Sequence, residues 1–283
     1  MSASLPVRRA YADVAGIQVH YRSAGERTRP ALLLLHQSPS SSAMYLPLMA
    51  QLADRYFLVA PDTPGFGGSD PLPGSGVDGA DSVDIAAYAR LIHEFVTVLD
   101  IAPCGVFGHH TGAAIAVQLE HDFPGTASAM ALSGPTLLDE AQQRSLPQLA
   151  TPFELAESGE HLLAMWRRLR EKDPAAPLAL TQRELLSAFA CGDAYQASYA
   201  AVARQDFATQ LGAITCPVLV YAGDRDPLHG SVAPTLARLQ RGSTVALPGG
   251  ERTYVCERQA ELIGTVLGEF FESNSSSSKQ RSN

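Results

Sequence analysis

The sequence lacks the features that mark nucleic-acid-binding, membrane-spanning and secreted proteins. It has 21 Lys and Arg residues against 29 Asp and Glu residues, for a formal net charge of −8, and no basic cluster offsets this acidic field. Phosphate backbones and anionic lipids are therefore disfavoured as partners. No run approaches the roughly 20 apolar residues of a membrane-spanning helix, and the first residues lack the apolar segment of a signal peptide. We expect a cytoplasmic protein that binds neither nucleic acid nor membranes.

Cysteine is scarce and does not occur in a metal-binding or redox pattern. The chain has four cysteines, and none of them forms a C-x-x-C pair. They are Cys104, Cys191, Cys216 and Cys256. Such scattered residues are typical of free thiols that pack in the core of a protein from a reducing compartment.

What the chain does contain is a regular alternation of short apolar runs and amphipathic segments. Hydrophobic residues make up 46% and charged residues 18% of the 283 positions, as in an ordinary globular protein. An alternating segment at 7–22 predicts an antiparallel hairpin around Ala15 and Gly16, at the edge of a sheet. Further strands are predicted at 31–35, 56–60, 105–107, 126–132 and 244–247 and just before Asp226, and helices at 44–54, 85–99, 112–119 and 255–271. This order predicts an α/β fold with a doubly wound, mostly parallel sheet.

The strand pattern stops between residues 136 and 204, where the segments are helical and interrupted. We therefore divide the chain into a core, residues 1–135 and 205–272, and an inserted helical region, residues 136–204. A glycine-rich segment at 74–79 predicts a surface loop. Residues 273–283 contain only Ser, Asn, Lys, Gln and Arg, a composition that buries no apolar surface and predicts a disordered tail.

A sharp turn is predicted between the strand at 105–107 and the helix that follows it. Gly108 and Gly112 flank His109, His110 and Thr111. In such a G-x-X-x-G turn the middle residue adopts a strained backbone conformation, and the glycines remove side chains that would collide. The middle residue is His110.

Three segments resemble the α/β-hydrolase superfamily, and they follow one another along the chain in the order found there. The turn is similar to the nucleophile elbow of that superfamily, residues 62–69 match its Asp-x-x-Gly-x-Gly-x-Ser loop, and Asp226 follows a strand where the superfamily carries its triad acid. The resemblance covers roughly residues 7–272. It implies an α/β-hydrolase fold in which residues 136–204 form a helical cap that covers the active site and selects the substrate.

The sequence departs from the superfamily pattern at two triad positions and in one loop. His110 replaces the nucleophile, which is usually serine and sometimes aspartate or cysteine. No histidine follows His229, and Arg252 stands in the place of the triad histidine. Arginine stays protonated and cannot act as a general base near neutral pH. Gln37 replaces the glycine of the superfamily's His-Gly-x-Pro loop, so that Asp226 alone remains of the triad.

We predict that His110 and Asp226 form a catalytic dyad. Imidazole extends farther from its Cα than a serine hydroxyl, so His110 can reach toward Asp226 directly or through water. The carboxylate would fix the tautomer and favour the imidazolium, which leaves the other ring nitrogen to exchange a proton with water or substrate. The backbone N–H groups of Thr111 and Ser38, the latter beside Gln37, are predicted to stabilise an anion.

Other roles for these residues remain open at this stage. Asp226 could form an ion pair with Arg252, an arrangement that requires no chemistry. His229 could replace the missing base, although its position at the start of a helix favours a solvent-facing side chain. His36, His109 and Arg252 are candidate auxiliary residues, with structural hydrogen bonding as the simpler role for the two histidines.

The resemblance and the predicted dyad together favour an enzyme that hydrolyses a small organic substrate without a metal or an organic cofactor. An anion site without a nucleophile also suits a cofactor-free lyase, decarboxylase or isomerase. A third interpretation is a non-catalytic ligand-binding protein, because relatives of this fold that lost triad residues serve as receptors or scaffolds. The sequence identifies neither the substrate nor the oligomeric state.

Overall fold

The computed structural model of the protein describes residues 6–72, 83–249 and 251–279. Its strands are β1 (Arg8–Val14), β2 (Ile17–Ala24), β3 (Ala31–Leu35), β4 (Phe57–Pro61), β5 (Cys104–His109), β6 (Ala127–Ser133), β7 (Val218–Tyr221) and β8 (Gly242–Thr244). They form one sheet in the order β1-β2-β4-β3-β5-β6-β7-β8. Strand β2 runs antiparallel to both of its neighbours, and the other pairs are parallel. The predicted α/β fold with a mostly parallel sheet is confirmed.

Strands β1 and β2 form a hairpin at one edge of the sheet, as the alternating pattern predicts. The two turn residues, Ala15 and Gly16, have φ angles of 49° and 83°. A pair of left-handed residues is typical of the two-residue turn whose twist matches that of the flanking strands. Ala12 and Val14 face the core, whereas the neighbouring Tyr11 points to the opposite face and is 57% exposed. One face of the hairpin is therefore exposed to solvent.

The central strands bury side chains on both faces of the sheet. In β3, Leu32 and Leu34 belong to the apolar cluster on one face, and Leu33 and Leu35 belong to the cluster on the other face. All four side chains are inaccessible to solvent. Because successive side chains of a strand point to opposite faces, an uninterrupted apolar run folds here as a strand between two layers of helices.

Helices cover both faces of the sheet. They are α1 (Leu46–Leu52), α2 (Ile85–Val98), α3 (Thr111–Asp122), α4 (Glu140–Ser145), α5 (Glu160–Lys172), α6 (Leu178–Ala190), α7 (Ala194–Arg204), α8 (Phe207–Ala213), α9 (Val232–Leu236), α10 (Val255–Arg258) and α11 (Ala260–Lys279). Helices α2, α3 and α8 contribute to one apolar cluster, and α1, α10 and α11 contribute to the other. In the part of the chain that the structure describes, each helix is too short or too polar to span a bilayer.

Residues 136–204 contain helices α4 to α7, one short 3-10 turn at Leu146–Ala150, and no strand. Some of their apolar side chains form a separate cluster together with Phe66 from the loop that follows β4, whereas three residues of α7, Ala197, Ala201 and Val202, belong to a cluster of the core. The buried members of the separate cluster from the helical region are Ala150, Met165, Leu169, Ala188, Cys191 and Tyr195. The helical region is therefore attached to the core at the carboxyl ends of the strands.

The last strand differs from its predicted position, and the prediction for the glycine-rich loop cannot be compared with the structure. Strand β8 comprises Gly242–Thr244, whereas an apolar run predicts a strand at 244–247; Leu247 makes an isolated bridge with Gly223. All three residues of β8 are exposed, so backbone pairing with β7 defines this edge strand and apolar burial does not. The loop predicted at 74–79 lies outside the described residues.

The closing helix also continues beyond its predicted end. Helix α11 runs to Lys279, although the composition after residue 272 predicts a disordered tail. Polar side chains bond to the helix's own backbone here: Ser273 Oγ and Asn274 Nδ2 both donate to the carbonyl oxygen of Phe270. A segment without apolar residues thus extends a helix whose earlier turns pack on the sheet.

Candidate active site

A strained turn joins β5 to α3. Strand β5 ends at His109 and α3 begins at Thr111, so His110 is the connecting residue. Its backbone has φ 49° and ψ −111°, outside the regions that L-residues usually adopt. Such strain persists where the surrounding structure imposes it, and it is concentrated at functional sites.

Two glycines allow this turn to pack closely. A Cβ atom on Gly108 would overlap with the backbone of Gly112, and a Cβ atom on Gly112 would overlap with the carbonyl group of Leu35. The obstructing atoms belong to the backbone, which cannot move aside as a flexible side chain can. The turn is thereby held against the carboxyl end of β3.

The imidazole of His110 contacts the carboxylate of Asp226 directly. The distance from Nε2 to Oδ2 is 2.8 Å. The Asp226 side chain is 1% exposed, and its Oδ1 accepts a hydrogen bond of 2.8 Å from the N–H of Leu228. Burial alone would raise the pKa of Asp226, but the neighbouring His110 and the Leu228 N–H outweigh burial and lower it. The carboxylate is therefore ionised at neutral pH.

This contact determines which nitrogen of the neutral His110 ring carries the proton. An ionised carboxylate only accepts hydrogen bonds, so Nε2 is the protonated nitrogen and Nδ1 carries the lone pair. No residue in the described ranges forms a hydrogen bond with Nδ1. The His110 side chain is 15% exposed. The site thus presents an oriented ring with one unoccupied basic nitrogen.

Gly134 provides the space that the His110 ring occupies. It follows β6 with φ 62°, and a Cβ atom at this position would overlap with Cδ2 and Nε2 of the imidazole. The N–H of Gly134 donates to the carbonyl oxygen of Tyr221 at 2.8 Å. Tyr221 ends β7, the strand that precedes Asp226. The bond therefore connects the residue that packs against His110 to the strand that leads to Asp226.

His109 has a structural role beside the turn. Its Nε2 lies 2.8 Å from the carbonyl oxygen of Thr253 and its Nδ1 lies 2.9 Å from Ser133 Oγ. A carbonyl oxygen only accepts, so Nε2 donates and Nδ1 accepts from the serine hydroxyl. Burial, assisted by the charge of His110, lowers the pKa of His109 to about 3. The ring is neutral and fully bonded, and it holds the loop before α10 against β5.

The lowered pKa of His109 predicts a loss of stability in acid. The unfolded chain protonates this ring near the ordinary value of about 6.5, whereas the folded protein resists protonation down to about pH 3. The unfolded state therefore binds more protons in this interval. The stability that the neutral His109 ring contributes is fully present above about pH 6.5 and is lost as the pH falls toward 3. His109→Gln keeps an N–H donor for Thr253 but does not titrate, so we expect its Tm to depend less steeply on pH.

Thermal denaturation between about pH 7 and pH 4 measures this slope. His121→Gln is the matched control, because it removes an exposed histidine from α3 and should leave the slope unchanged. If the Tm of His109→Gln depends on pH as steeply as the Tm of the native protein, His109 does not take up a proton on unfolding.

The loop after β3 places Ser38 and Gln37 beside the turn. The N–H of Ser38 lies 3.4 Å from Thr111 Oγ1, a long hydrogen bond, so the two residues with predicted anion-binding N–H groups are neighbours. The first N–H groups of a helix have no acceptor within the helix, and Thr111 is the first residue of α3. Gln37 Oε1 accepts from Thr253 Oγ1 at 2.8 Å, and no described residue bonds to the Gln37 amide nitrogen.

His36 connects two loops and has no free ring nitrogen. Its Nε2 accepts from the N–H of Thr63 at 2.8 Å, and its Nδ1 donates to the carbonyl oxygen of Gln37 at 2.9 Å. Burial lowers the pKa of His36, so the ring is neutral. These contacts support a structural role for His36.

The structure does not bring Arg252 or His229 to the carboxylate of Asp226. Arg252 Nη1 donates to the carbonyl oxygen of Lys172 at 3.2 Å, because the loop directs the guanidinium toward the end of α5. The ion pair between Arg252 and Asp226, considered from the sequence, is therefore wrong. His229 is exposed, and its Nδ1 bonds to the carbonyl oxygen of Gly223 at 3.0 Å; among the described residues its ring makes no hydrogen bond to His110 or to the Asp226 carboxylate.

Comparison with known proteins identifies the family. A sequence model of the alpha/beta hydrolase fold matches residues 30–181, which is more than half of the chain and includes the turn at His110. The chain belongs to the alpha/beta hydrolase fold family.

Curated relatives of this alpha/beta hydrolase fold protein include hydrolases. The 2-(acetamidomethylene)succinate hydrolase of Mesorhizobium japonicum is 26% identical over 275 residues, covering 92% of this chain and 94% of that protein. Haloalkane dehalogenase 2 of Mycobacterium bovis is 33% identical over 114 residues, covering 40% of this chain and 37% of that protein. An uncharacterised protein of Mycobacterium tuberculosis is 34% identical over 114 residues, and the match spans 40% of this chain and 31% of that relative's length.

Solved structures show the same alpha/beta hydrolase fold. A thermophilic esterase from Thermogutta terrifontis superposes with a TM-score of 0.77 at 18% identity, covering 94% of this chain and 99% of that one. E-2-(acetamidomethylene)succinate hydrolase superposes with a TM-score of 0.75 at 23% identity, covering 94% of this chain and 100% of that one. Identities this low establish the fold alone.

The sequence does not reveal an ionic network that connects the helical region to the site. Glu184 of α6 accepts from Ser40 Oγ at 2.9 Å and pairs with Arg183 at 2.7 Å, and its side chain is 1% exposed. Arg183 also donates to both carboxylate oxygens of Glu257, at 2.7 and 2.8 Å. These bonds join α6 to the loop after β3 and to α10. No local pattern signals them, because the partners are far apart in the chain.

A second missed residue is Lys172, the last residue of α5. Its ammonium donates to the hydroxyls of Tyr195 and Tyr199 on α7, at 2.9 and 3.2 Å. Lysine is rare in this chain, which has two, Lys172 and Lys279. That rarity is the sequence signal that points to this position. In the described ranges no group of three or more His, Cys, Asp or Glu side chains has the arrangement of a metal site.

Proposed function

We propose that the protein is a hydrolase of a small organic substrate and that His110 and Asp226 form its non-standard catalytic dyad. The observation that carries this proposal is the 2.8 Å contact between His110 Nε2 and the buried Asp226 carboxylate. The contact lies at the position of the nucleophile elbow, where the family's serine would stand. His110 occupies the position of the family's nucleophile and, by its reach, takes the role of the general base.

In the proposed reaction a water molecule is the nucleophile. His110 Nδ1 accepts a proton from water while the water oxygen bonds to the acyl carbon, and Asp226 stabilises the imidazolium that forms. The carbonyl oxygen becomes an oxyanion. As the bond to the leaving group breaks, the proton on Nδ1 passes to the leaving group, which restores the neutral ring. The products are an acid and an alcohol or amine, and no acyl-enzyme is formed.

Three donors are available for the oxyanion in this mechanism. The N–H groups of Ser38 and Thr111 lie on the two sides of the turn, and the Ser38 N–H exchanges its long bond to the Thr111 hydroxyl for the substrate oxygen. The N-terminus of α3 adds a partial positive charge at the same place. The amide of Gln37, oriented by Thr253, supplies the third donor.

The relatives support the hydrolase class. The protein from Mesorhizobium japonicum whose match extends over most of both chains is named as a hydrolase of 2-(acetamidomethylene)succinate. Helices α6 and α7 form hydrogen bonds with the loop that carries Ser38 and Ser40, and we propose that residues 136–204 act as a cap that shapes the substrate pocket.

A substrate panel with product analysis tests this proposal. Short-chain aryl esters, aliphatic esters and acylated amines are incubated with the protein in water enriched in oxygen-18. Hydrolysis places one heavy oxygen in the acid product, and Asp226→Asn should lower the rate by about 100-fold or more. Conversion of a substrate without incorporation of solvent oxygen would overturn hydrolysis in favour of a lyase or isomerase. Ligand binding without conversion would overturn catalysis itself.

A further inference from the structure

Lys172 is a partly buried cation without an acidic partner. Its Nζ lies 2.9 Å from Tyr195 Oη and 3.2 Å from Tyr199 Oη. In the described ranges no carboxylate lies within ion-pair distance of it. An ammonium has three N–H donors, and the two tyrosines occupy two of them. One donor of Lys172 therefore has no acceptor in the described structure.

Two cations of the same region, Arg183 and Arg258, differ from Lys172 in this respect. Arg183 pairs with Glu184 and Glu257, and Arg258 pairs with Asp173 at 2.9 Å. A cation removed from water is costly unless it is paired. Burial disfavours the charged form of Lys172, but the surrounding tyrosine hydroxyls outweigh burial and raise its pKa. The ammonium is charged at neutral pH, and its missing counter-charge requires an explanation.

The unpaired ammonium lies beside the proposed anion site. Tyr199 Oη is 3.5 Å from the carbonyl oxygen of Ser38, so two hydrogen bonds connect Lys172 to the residue whose N–H faces Thr111. Arg252, in the place of the family's triad histidine, donates to the carbonyl oxygen of Lys172 itself. These contacts place Lys172 where helices α5 and α7 meet the loops that carry Ser38 and Arg252.

The position of Lys172 at the end of α5 suggests a simpler role, stabilisation by the helix dipole, but that role does not account for these contacts. A cation in the last turn of a helix is stabilised by the helix dipole. Arg170 and Lys172 both occupy that turn. Arg170 donates to the carbonyl oxygens of Pro174 and Ala176 in the loop that follows the helix. Lys172 instead extends to the tyrosines of α7, toward the site.

We infer that Lys172, oriented by Tyr195 and Tyr199, binds a carboxylate group of the substrate. The proposal rests on the proposed function and narrows its substrate class to small esters or amides that carry a carboxylate in addition to the scissile bond. A single N–H of one ammonium matches one carboxylate oxygen. The tyrosine hydroxyls keep the ammonium in place without neutralising it, which leaves its charge for the ligand.

Paired substrates test this inference. Mono-p-nitrophenyl glutarate carries a free carboxylate, and p-nitrophenyl pentanoate has the same chain length without it. For Lys172→Met we expect KM for the glutarate ester to rise about 10-fold or more, with kcat nearly unchanged and with the pentanoate ester unaffected. Lys172→Arg should retain part of the preference. Arg167→Met removes an exposed charge from the same helix and should change neither substrate's KM.

Binding measurements separate this inference from the proposed function. Glutarate, with glutaramide as its neutral counterpart, is titrated calorimetrically into the native protein, His110→Ala and Lys172→Met. We expect glutarate binding to survive in His110→Ala and to be lost in Lys172→Met, whose fold is checked by circular dichroism. Absence of turnover by the native protein, together with glutarate binding that depends on Lys172, would overturn hydrolysis and leave the carboxylate site standing. Equal binding of glutarate by the native protein and Lys172→Met would overturn the site.

Discussion

Replacing His110 by alanine is expected to lower kcat/KM by about 10²-fold to 10⁴-fold on an ester that the native protein hydrolyses. The alanine variant keeps the oxyanion donors of Ser38 and Thr111 but has no base to accept the proton of water. The fold should survive, because the substitution removes a partly exposed side chain that does not belong to the hydrophobic core. Steady-state kinetics and a thermal melt measure the two quantities separately.

Two further variants distinguish a catalytic imidazole from a structural one. Added imidazole should restore part of the activity of His110→Ala, since the ring can occupy the space that Gly134 leaves open. His110→Ser restores the family's usual residue but should stay inactive, because Arg252 occupies the place of the triad histidine and cannot activate the hydroxyl. Full activity in His110→Ala, or higher activity in His110→Ser than in the native protein, would contradict the dyad.

Much of the fold could be predicted because its signals are local. The run of four leucines in β3 indicates a strand with two buried faces, and the spacing of Gly108 and Gly112 indicates the turn between β5 and α3. Strand β8 was misplaced for a physical reason. Its residues are Gly242, Ser243 and Thr244, all exposed, so no apolar pattern marks an edge strand that backbone bonds to β7 define.

The candidate site was partly predictable because side-chain reach limits what His110 can touch. Its contact with Asp226 follows from the length of an imidazole and from the family order of the two positions. Gly134, however, is required by the volume of the ring, and that requirement is visible only after the turn is folded. The contact of Ser40 with Glu184 joins residues that are 144 positions apart, and no sequence period connects them.

Two buried histidines beside the proposed site, His36 and His109, help to hold the loops around it. His36 and His109 bond to the loops around the site, with both ring nitrogens occupied. Asp62 accepts from the N–H groups of Ser42 and Gly68, which orders the loops after β3 and β4. Hydrogen bonds that do not involve His110 or Asp226 therefore hold the loops around the proposed site.

Replacing Gly112 by alanine is expected to lower the free energy of unfolding by about 2 kcal/mol or more, with a decrease in Tm of about 5 °C or more. Gly112 is a residue of α3, where alanine is normally preferred over glycine by about 1 kcal/mol. Here the added Cβ atom would overlap with the carbonyl group of Leu35. Strand β3 or the turn must then move, and either movement separates Ser38 from the N-terminus of α3.

The matched control for this variant is Gly212→Ala in α8. A Cβ atom at Gly212 meets no atom within 4 Å, so the same chemical change should be neutral or stabilise by up to about 1 kcal/mol. If the free energy of unfolding falls in Gly112→Ala but not in Gly212→Ala, the loss of a glycine from a helix is not the cause. The cause is then the close approach of α3 to β3. Because the approach also sets the oxyanion site, Gly112→Ala should lose hydrolytic activity at temperatures well below its Tm. A Gly112→Ala protein as stable as Gly212→Ala would show that the turn is not pressed against β3.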